Sequence, residues 1–108
     1  MREILFRGKD EKTGKFIFGD LRHFNNEVRI VGKSGYSHIV DPETVGQFTG
    51  LTDKNGVKIF EGDILDYGVL YKKTTIVTFD KGCFMHDTNV LFIGCDAMEI
   101  IGNIHENH

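Results

Sequence analysis

The apolar residues of this chain occur in short runs that glycine, asparagine and aspartate interrupt, and this spacing limits the fold more than any other feature. No stretch repeats apolar residues at the i, i+3, i+4 and i+7 positions of a long amphipathic helix. Thirteen glycines and one proline among 108 residues are typical of a chain with many tight turns. The pattern therefore predicts a mainly β fold.

The runs are rich in β-branched and aromatic residues, which half-buried strands prefer. They predict ten strands, at 3–7, 15–22, 28–31, 37–41, 58–60, 63–71, 74–80, 83–85, 90–93 and 98–105. Gly14, Gly56 and Gly82 are predicted at the tips of hairpins, where positive φ is needed. Asp41 and Pro42 can cap and start one short helical turn near residues 42–46.

Two stretches of the chain are similar to each other. Residues 11–21 and 53–64 both consist of a polar turn, an apolar strand and a Gly-Asp dipeptide, with one residue inserted in the second. A duplication and a convergence of two hairpins both account for this pattern. Gly19-Asp20 and Gly62-Asp63 are each predicted to start a strand, the glycine allowing a bend and the aspartate bonding to backbone amides.

A chain of 108 residues is the size of one domain, and it can bury about two thirds of its unfolded surface. We predict a single domain over 1–108, with two possible lobes at 1–50 and 51–108. No apolar stretch approaches the ~20 residues that span a bilayer, and no secretory signal is recognised. A cytoplasmic location without membrane association is expected, with Cys83 and Cys95 as free, buried thiols.

The net charge of −3 argues against a protein that holds nucleic acid mainly through phosphate contacts. The charge is uneven, however, because residues 1–33 carry eight Lys and Arg against five acids. Arg7, Lys15 and Arg22 are therefore candidate residues of a basic face, and Phe16, Phe18, Phe24 and Tyr36 could stack on bases beside it. Scattered charges on solvated strands are the simpler interpretation.

Residues that could carry chemistry do not form a recognisable motif. Cys83, His86 and Cys95 lack a fourth ligand for zinc, so two thiols and a surface histidine are expected there. Ser37 and His38 are neighbours in a strand and point to opposite faces, which prevents proton transfer between them. Glu61, Asp63 and Asp66 are interpreted as solvated turn acids rather than a cation site. We predict no enzyme activity, no metal and no cofactor.

Gln47, Phe48 and Thr49 lie between Gly46 and Gly50. An aromatic ring between hydrogen-bonding side chains, on a loop hinged by glycines, could bind a peptide strand or a base. A simple crossing between two β lobes is the alternative.

The longest stretch that resembles a known family is Val40–Gly56, followed by Ile59-Phe60-Glu61-Gly62-Asp63-Ile64. Together with Arg2-Glu3-Ile4, Phe6-Arg7-Gly8, Gly19-Asp20-Leu21 and residues 99–107, it resembles the YopX family of small phage and prophage proteins. The resemblance implies an all-β fold with a small barrel of the Src-homology-3 type and a phage-related origin. It implies no activity and brings no catalytic residues.

These observations favour a non-enzymatic binding module that contacts a host or phage protein. Edge strands of a small β protein can pair with a partner or with a second copy, so a homo-oligomer is also expected. Nucleic-acid binding through the basic N-terminal third is the alternative, and an enzyme of unknown class is the third.

Overall fold

The computed structural model describes residues 3–68, 70–80, 83–86, 89–90 and 97–106, and strands dominate them. The mainly β prediction is confirmed. The strands are β1 (Phe6–Lys9), β2 (Phe16–Phe24), β3 (Glu27–Val31), β4 (Ser37–Ile39), β5 (Gly46–Thr52), β6 (Lys58–Phe60), β7 (Asp63–Asp66), β8 (Thr74–Asp80), β9 (Cys83–His86), β10 (Asn89–Val90) and β11 (Glu99–Asn103). No helix in the described ranges is long and apolar enough to cross a membrane.

The chain divides into two compact units, Met1–Phe48 and Thr49–His108, where the sequence placed a possible boundary at residue 50. In the first unit the strand order is β4-β3-β2-β1-β5, and all neighbours are antiparallel. A bridge between Asp10 and Val40 connects the end of β1 to the end of β4. Ile30, Val40 and Phe48 are the buried apolar side chains of this unit.

The predicted helical turn is confirmed as a 3₁₀ turn over Pro42–Thr44. The carboxylate of Asp41 accepts the backbone N–H of Glu43 at 3.1 Å, and Pro42 occupies the start of the turn. The hydroxyl of Thr44 donates to the Asp41 carbonyl at 2.7 Å and accepts the Lys9 N–H at 2.8 Å. The turn is thereby attached to β1.

In the second unit β5 continues and pairs with β6, and a further antiparallel sheet has the order β10-β9-β8-β7-β11. Its core consists of Ile59, Leu65, Val77 and Met98, which expose at most 6% of their surface. The described strands form two antiparallel sheets and no closed barrel. The Src-homology-3 type of the fold remains a prediction.

Several predictions about strands are wrong. The strand predicted at 63–71 ends at Asp66. The segment expected to be a crossing loop is strand β5, because Gly46 and Gln47 pair with Arg7 and Phe6 of β1. Gly19-Asp20 does not start a strand but lies in the middle of β2. Gly62-Asp63 does lead into β7, and Gly14 and Gly56 have the expected positive φ of 73° and 78°. Gly82 lies outside the described residues.

Candidate binding site

The predicted site at Gln47, Phe48 and Thr49 is part of β5 and not a hinged loop. Phe48 and Thr49 each expose only 5% of their surface, and the Thr49 hydroxyl donates to the Ile59 carbonyl at 2.9 Å. Gln47 is half-buried. In this conformation Phe48 and Thr49 serve packing and strand pairing, so their role in binding stays a prediction that would require β5 to open.

The three predicted basic residues do not form one basic face. Arg7 is only 7% exposed, and its guanidinium lies over the ring of Phe16 at 4.9 Å from the centroid. Lys15 and Arg22 are exposed. Because Arg7 is buried by a cation–π contact, it contributes to the interior of the first unit rather than to its surface.

Arg22 lies directly opposite Arg29 in the pairing of β2 and β3. The charge of Arg29 is balanced by Glu27, whose Oε2 lies 2.9 Å from Nε and 2.6 Å from Nη2. The face of the β2–β3 hairpin that carries Arg22 and Arg29 therefore also carries the carboxylate of Glu27. The surface of this hairpin is mixed in charge, which weakens the case for phosphate binding.

A polar groove with a volume of about 280 Å³ lies beside the edge strand β4. We call it the β4 groove, and it is lined by Asp10, Glu11, Lys12, Arg29, Ser37, His38 and Ile39. These residues come from the turn after β1, from β3 and from β4. The groove therefore brings together three segments that are far apart in sequence.

Asp10 organises one side of the β4 groove. Its Oδ1 accepts the backbone N–H groups of Lys12 at 2.7 Å and Thr13 at 3.2 Å, and its Oδ2 lies 3.0 Å from Nδ1 of His38. The Lys12 N–H is the main cause that holds the pKa of Asp10 below its usual range; burial opposes it, while Thr13 and His38 add to it. Asp10 is thus an ionised anchor between the hairpin turn and β4.

Arg29 and Ser37 organise the other side. Nη1 of Arg29 donates to the hydroxyl of Ser37 at 3.0 Å. Ser37 and His38 have separate hydrogen-bond partners, Arg29 and Asp10. The groove consequently presents fixed charges of both signs to a ligand.

Successive residues of β4 direct their backbone N–H and C=O groups to opposite sides of the strand. Val40 N–H donates to the Val28 carbonyl, and Gly32 N–H donates to the Tyr36 carbonyl, so the even-numbered residues pair with the β3 side. The amide groups of Ser37 and Ile39 point away from β3, as alternation in an antiparallel pair requires. The Ile39 carbonyl accepts Glu11 N–H at 3.1 Å, and Ser37 lies at the outer end of this edge.

The burial expected for His86 and for Cys83 is reversed in the structure. His86 is only 5% exposed and packs beside the ring of Tyr67, at 5.9 Å between centroids, whereas Cys83 is exposed. Cys95 lies outside the described residues. Within the described ranges no group of three or more His, Cys, Asp and Glu residues could hold a metal ion.

The expectation of solvated turn acids is wrong for Asp63. Its side chain is 2% exposed and accepts the N–H of Phe60 at 2.8 Å. Asp66 accepts the N–H groups of Gly68 and Lys73 at 3.0 and 3.2 Å. These two carboxylates bind their own backbone.

Sequence reasoning missed the β4 groove. It noted Ser37 and His38 only as a failed catalytic pair and did not connect them to Asp10 or Arg29. One usable signal was present, since Asp10 precedes a Lys-Thr-Gly turn and an aspartate there can accept turn amides. The ring of His38 against Asp10 depends on the Asp10–Val40 bridge, which no local pattern predicts.

The comparisons agree with the β architecture. The crystal structure of protein EF1440 from Enterococcus faecalis is similar to this chain with a TM-score of 0.67 and 28% identity, covering 99% of this chain and 96% of that one. No curated protein matches the chain. The YopX protein family matches residues 5–108. Because that match covers nearly every residue, the chain belongs to the YopX family.

Proposed function

We propose that this protein is a non-enzymatic binding module that takes up an extended segment of a partner protein at the outer end of β4, where Ser37 lies. The observation that carries the proposal is the β4 groove, a polar cavity placed directly beside an edge strand. An edge strand offers backbone groups for pairing, and a neighbouring groove can select the side chains of the added strand. The partner is expected to be a host or phage protein, since the family resemblance implies a phage or prophage origin.

The backbone geometry supports strand addition at Ser37. The amide of Ser37 points away from β3, on the open side of the sheet. Next to it, Tyr36 is 73% exposed and provides a large aromatic surface at the same edge. An incoming strand would therefore find a hydrogen-bonding residue and an apolar contact side by side.

The charges of the β4 groove support selectivity. Lys12 can attract acidic side chains, while Asp10 and Glu11 in the same turn disfavour them. The charge of Arg29 is already balanced by Glu27. Arg29 and His38 are already oriented by Ser37 and Asp10, so little ordering is required when a partner binds. A segment that carries polar side chains can form hydrogen bonds with these walls.

Substitution of Ser37 by Pro tests the proposal. Proline removes the outward N–H of residue 37, but the β3–β4 pairing uses the even-numbered residues and is expected to persist. A photo-crosslinking side chain at position 36, in prophage-carrying cells, should give one major protein adduct that Ser37→Pro reduces at least tenfold. The same side chain at Val57, which is 52% exposed, is the matched control.

Equal adducts at positions 36 and 57, or adducts that Ser37→Pro leaves unchanged, would contradict strand addition at β4. The melting temperature of Ser37→Pro is measured in parallel. A variant with a wild-type melting temperature and no crosslink has lost the binding edge and not the fold.

Nucleic-acid binding by the first unit is a second candidate. It is favoured by three exposed aromatic side chains, Phe18 at 49%, Phe24 at 63% and Tyr36 at 73%. Such rings can stack on unpaired bases. Titration with single-stranded and duplex DNA and RNA at two salt concentrations decides the matter, because the absence of any salt-dependent binding eliminates this candidate.

A further inference from the structure

The turn between β5 and β6 contains a chemically reactive dipeptide that the proposed function does not use. We call residues 53–57 the β5–β6 turn. Asn55 and Gly56 within it form the only Asn-Gly dipeptide of the sequence. Asparagine is a labile residue, because the backbone nitrogen of the next residue can attack its side-chain carbonyl carbon. A side chain on that next residue obstructs the attack, and glycine has none.

Both residues of the dipeptide lie at the surface. Asn55 and Gly56 are exposed, and a Cβ atom built on Gly56 would meet nothing within 4 Å. The space around Gly56 is therefore open to water and hydroxide. Exposed turns open locally at a lower free energy than buried strands do. The conformation in which the backbone nitrogen approaches the side-chain carbonyl is consequently accessible from the folded state.

Two hydrogen bonds restrain the reacting groups. Gly56 N–H donates to the Asp53 carbonyl at 3.0 Å, and Nδ2 of Asn55 donates to Oε2 of Glu99 at 3.4 Å. The first bond must break before the nitrogen can attack, and the second is close to the upper limit of hydrogen-bond length. Since a single exposed hydrogen bond contributes little net stability, these restraints slow the reaction without preventing it.

Asn103 provides a comparison within the same chain. Its Nδ2 lies 3.5 Å from Oε1 of Glu106, and the N–H of the following residue, Ile104, donates to the Gly62 carbonyl at 2.9 Å. The two asparagines thus have similar hydrogen bonds and differ in the residue that follows. The β-branched side chain of Ile104 crowds the attacking nitrogen, whereas Gly56 leaves it open.

We propose that Asn55 is a site of spontaneous deamidation. The backbone nitrogen of Gly56 loses its proton and bonds to Cγ of Asn55, and the side-chain nitrogen leaves with that proton as ammonia. The product is a cyclic imide that joins the two residues. Water then adds to one of the imide carbonyls and reopens the ring, which leaves aspartate or isoaspartate at position 55. The net reaction consumes one water and releases one ammonia, and it needs no oxidant.

The modification weakens the attachment of the β5–β6 turn to β11. Asp53 is 4% exposed and accepts the N–H groups of Val57 and Ile100, each at 3.0 Å. Isoaspartate adds one atom to the backbone inside this turn and displaces the Val57 N–H from its acceptor. The new carboxylate cannot donate to Glu99 and places a like charge beside it. Lys54, 3.8 Å from Glu99, offsets only part of this repulsion because both side chains are about half exposed.

Incubation of the full chain in mildly alkaline buffer at physiological temperature tests the proposal. Peptide mapping by mass spectrometry, relative to a sample that was not incubated, should find conversion at Asn55 at least tenfold faster than at Asn103. The product should contain oxygen from isotopically labelled water. Asn55→Gln is the matched control; it keeps the amide but would have to close a larger ring, so it should not convert. Conversion at Asn55 no faster than at Asn103 overturns the proposal.

The melting temperature measures the consequence for the fold. Wild-type protein incubated until position 55 is converted should unfold several degrees below fresh protein. Asn55→Gln incubated for the same time should keep its melting temperature. An unchanged melting temperature in the converted protein overturns the effect on the β5–β6 turn. Ser37→Pro should convert at Asn55 as fast as the wild type, so the result is independent of the β4 edge.

Discussion

Gly19-Asp20 lies in the middle of β2, whereas Gly62 lies in the turn before β7 and Asp63 begins that strand. At the first dipeptide the glycine has no room for a side chain, because a Cβ atom would lie 2.0 Å from the Val31 carbonyl oxygen. Asp20 beside it is exposed. At the second, a Cβ on Gly62 would meet nothing closer than 3.7 Å, while Asp63 is buried and bonded to Phe60.

The Gly-Asp dipeptide therefore has a different structural role at each of its two positions. In β2 the glycine permits a close backbone approach at the point where the strand changes its partner from β1 to β3. Before β7 the aspartate satisfies a buried turn amide, and glycine supplies a φ of 94°. Sequence identity of a short motif is thus a weak guide to which of its residues matters.

Gly19→Ala is expected to have the largest effect. The added methyl overlaps a carbonyl oxygen of the neighbouring backbone, so β2 and β3 must separate, and about 3 kcal/mol of unfolding free energy should be lost. Urea denaturation measures the loss. A loss below about 1 kcal/mol would show that the two strands can shift without cost.

Asp63→Ala should lower the unfolding free energy by about 2 kcal/mol, because it leaves the buried N–H of Phe60 without its carboxylate partner. Asp20→Ala is the matched control and should change stability by less than about 0.5 kcal/mol. Thermal unfolding of both variants compares the two aspartates directly. Equal losses would remove the distinction between them.

Gly62→Ala should cost about 1 to 2 kcal/mol, the usual penalty of a left-handed backbone with a side chain, since the surrounding space is open. Denaturant titration alongside Gly19→Ala ranks the two glycines. If Gly62→Ala is the more damaging, conformational strain outweighs backbone overlap in this protein, and the ranking given above is wrong.

The turn aspartates Asp10 and Asp53 make the stability of the fold depend on pH in the acid range. Burial raises the pKa of Asp53, but the N–H groups of Ile100, Val57 and Asn55 outweigh it and hold the pKa below its usual value. The folded protein then binds fewer protons than the unfolded chain, so stability is complete above about pH 4 and decreases as the pH falls through the folded-state pKa.

Asp53→Asn removes this titration and at least one hydrogen bond. It should cost about 1 kcal/mol at neutral pH and flatten the loss of stability below about pH 4. Equilibrium unfolding between pH 2 and pH 7, by urea, gives both quantities. An unchanged acid profile would show that Asp53 does not contribute to it, leaving Asp10 and Asp66, whose pKa values are also lowered, as the groups responsible.

Local chemistry was sufficient for much of the fold. The strands Lys58–Phe60 and Thr74–Asp80 have the bounds that their apolar runs predict, and the turn at Pro42 follows from its capping residue. Strand β5 was missed because Gly46 and Gly50 have low strand propensity, and pairing with β1 overrides it. Propensity describes one segment, whereas pairing depends on a neighbour that is distant in sequence.

The candidate site was less predictable. Arg7 was chosen as a surface charge, but the ring of Phe16 and the packing around β1 bury it. The β4 groove requires Asp10 and His38, 28 residues apart, to lie within 3.0 Å. The chain between them contains β2 and β3, so the approach of the two side chains depends on how those strands pair.

The sequence by itself determined the β class and the positions of several turns, because periodicity, glycine and proline act within a few residues. The family match over residues 5–108 shows the membership of the YopX family. Only the tertiary structure decided which of two identical Gly-Asp pairs relies on glycine and which on aspartate. It also decided that Arg7 is buried and that Asp10 meets His38. The physical reason is that burial and hydrogen-bond partners depend on which strands become neighbours, and that pairing is cooperative over the whole sheet.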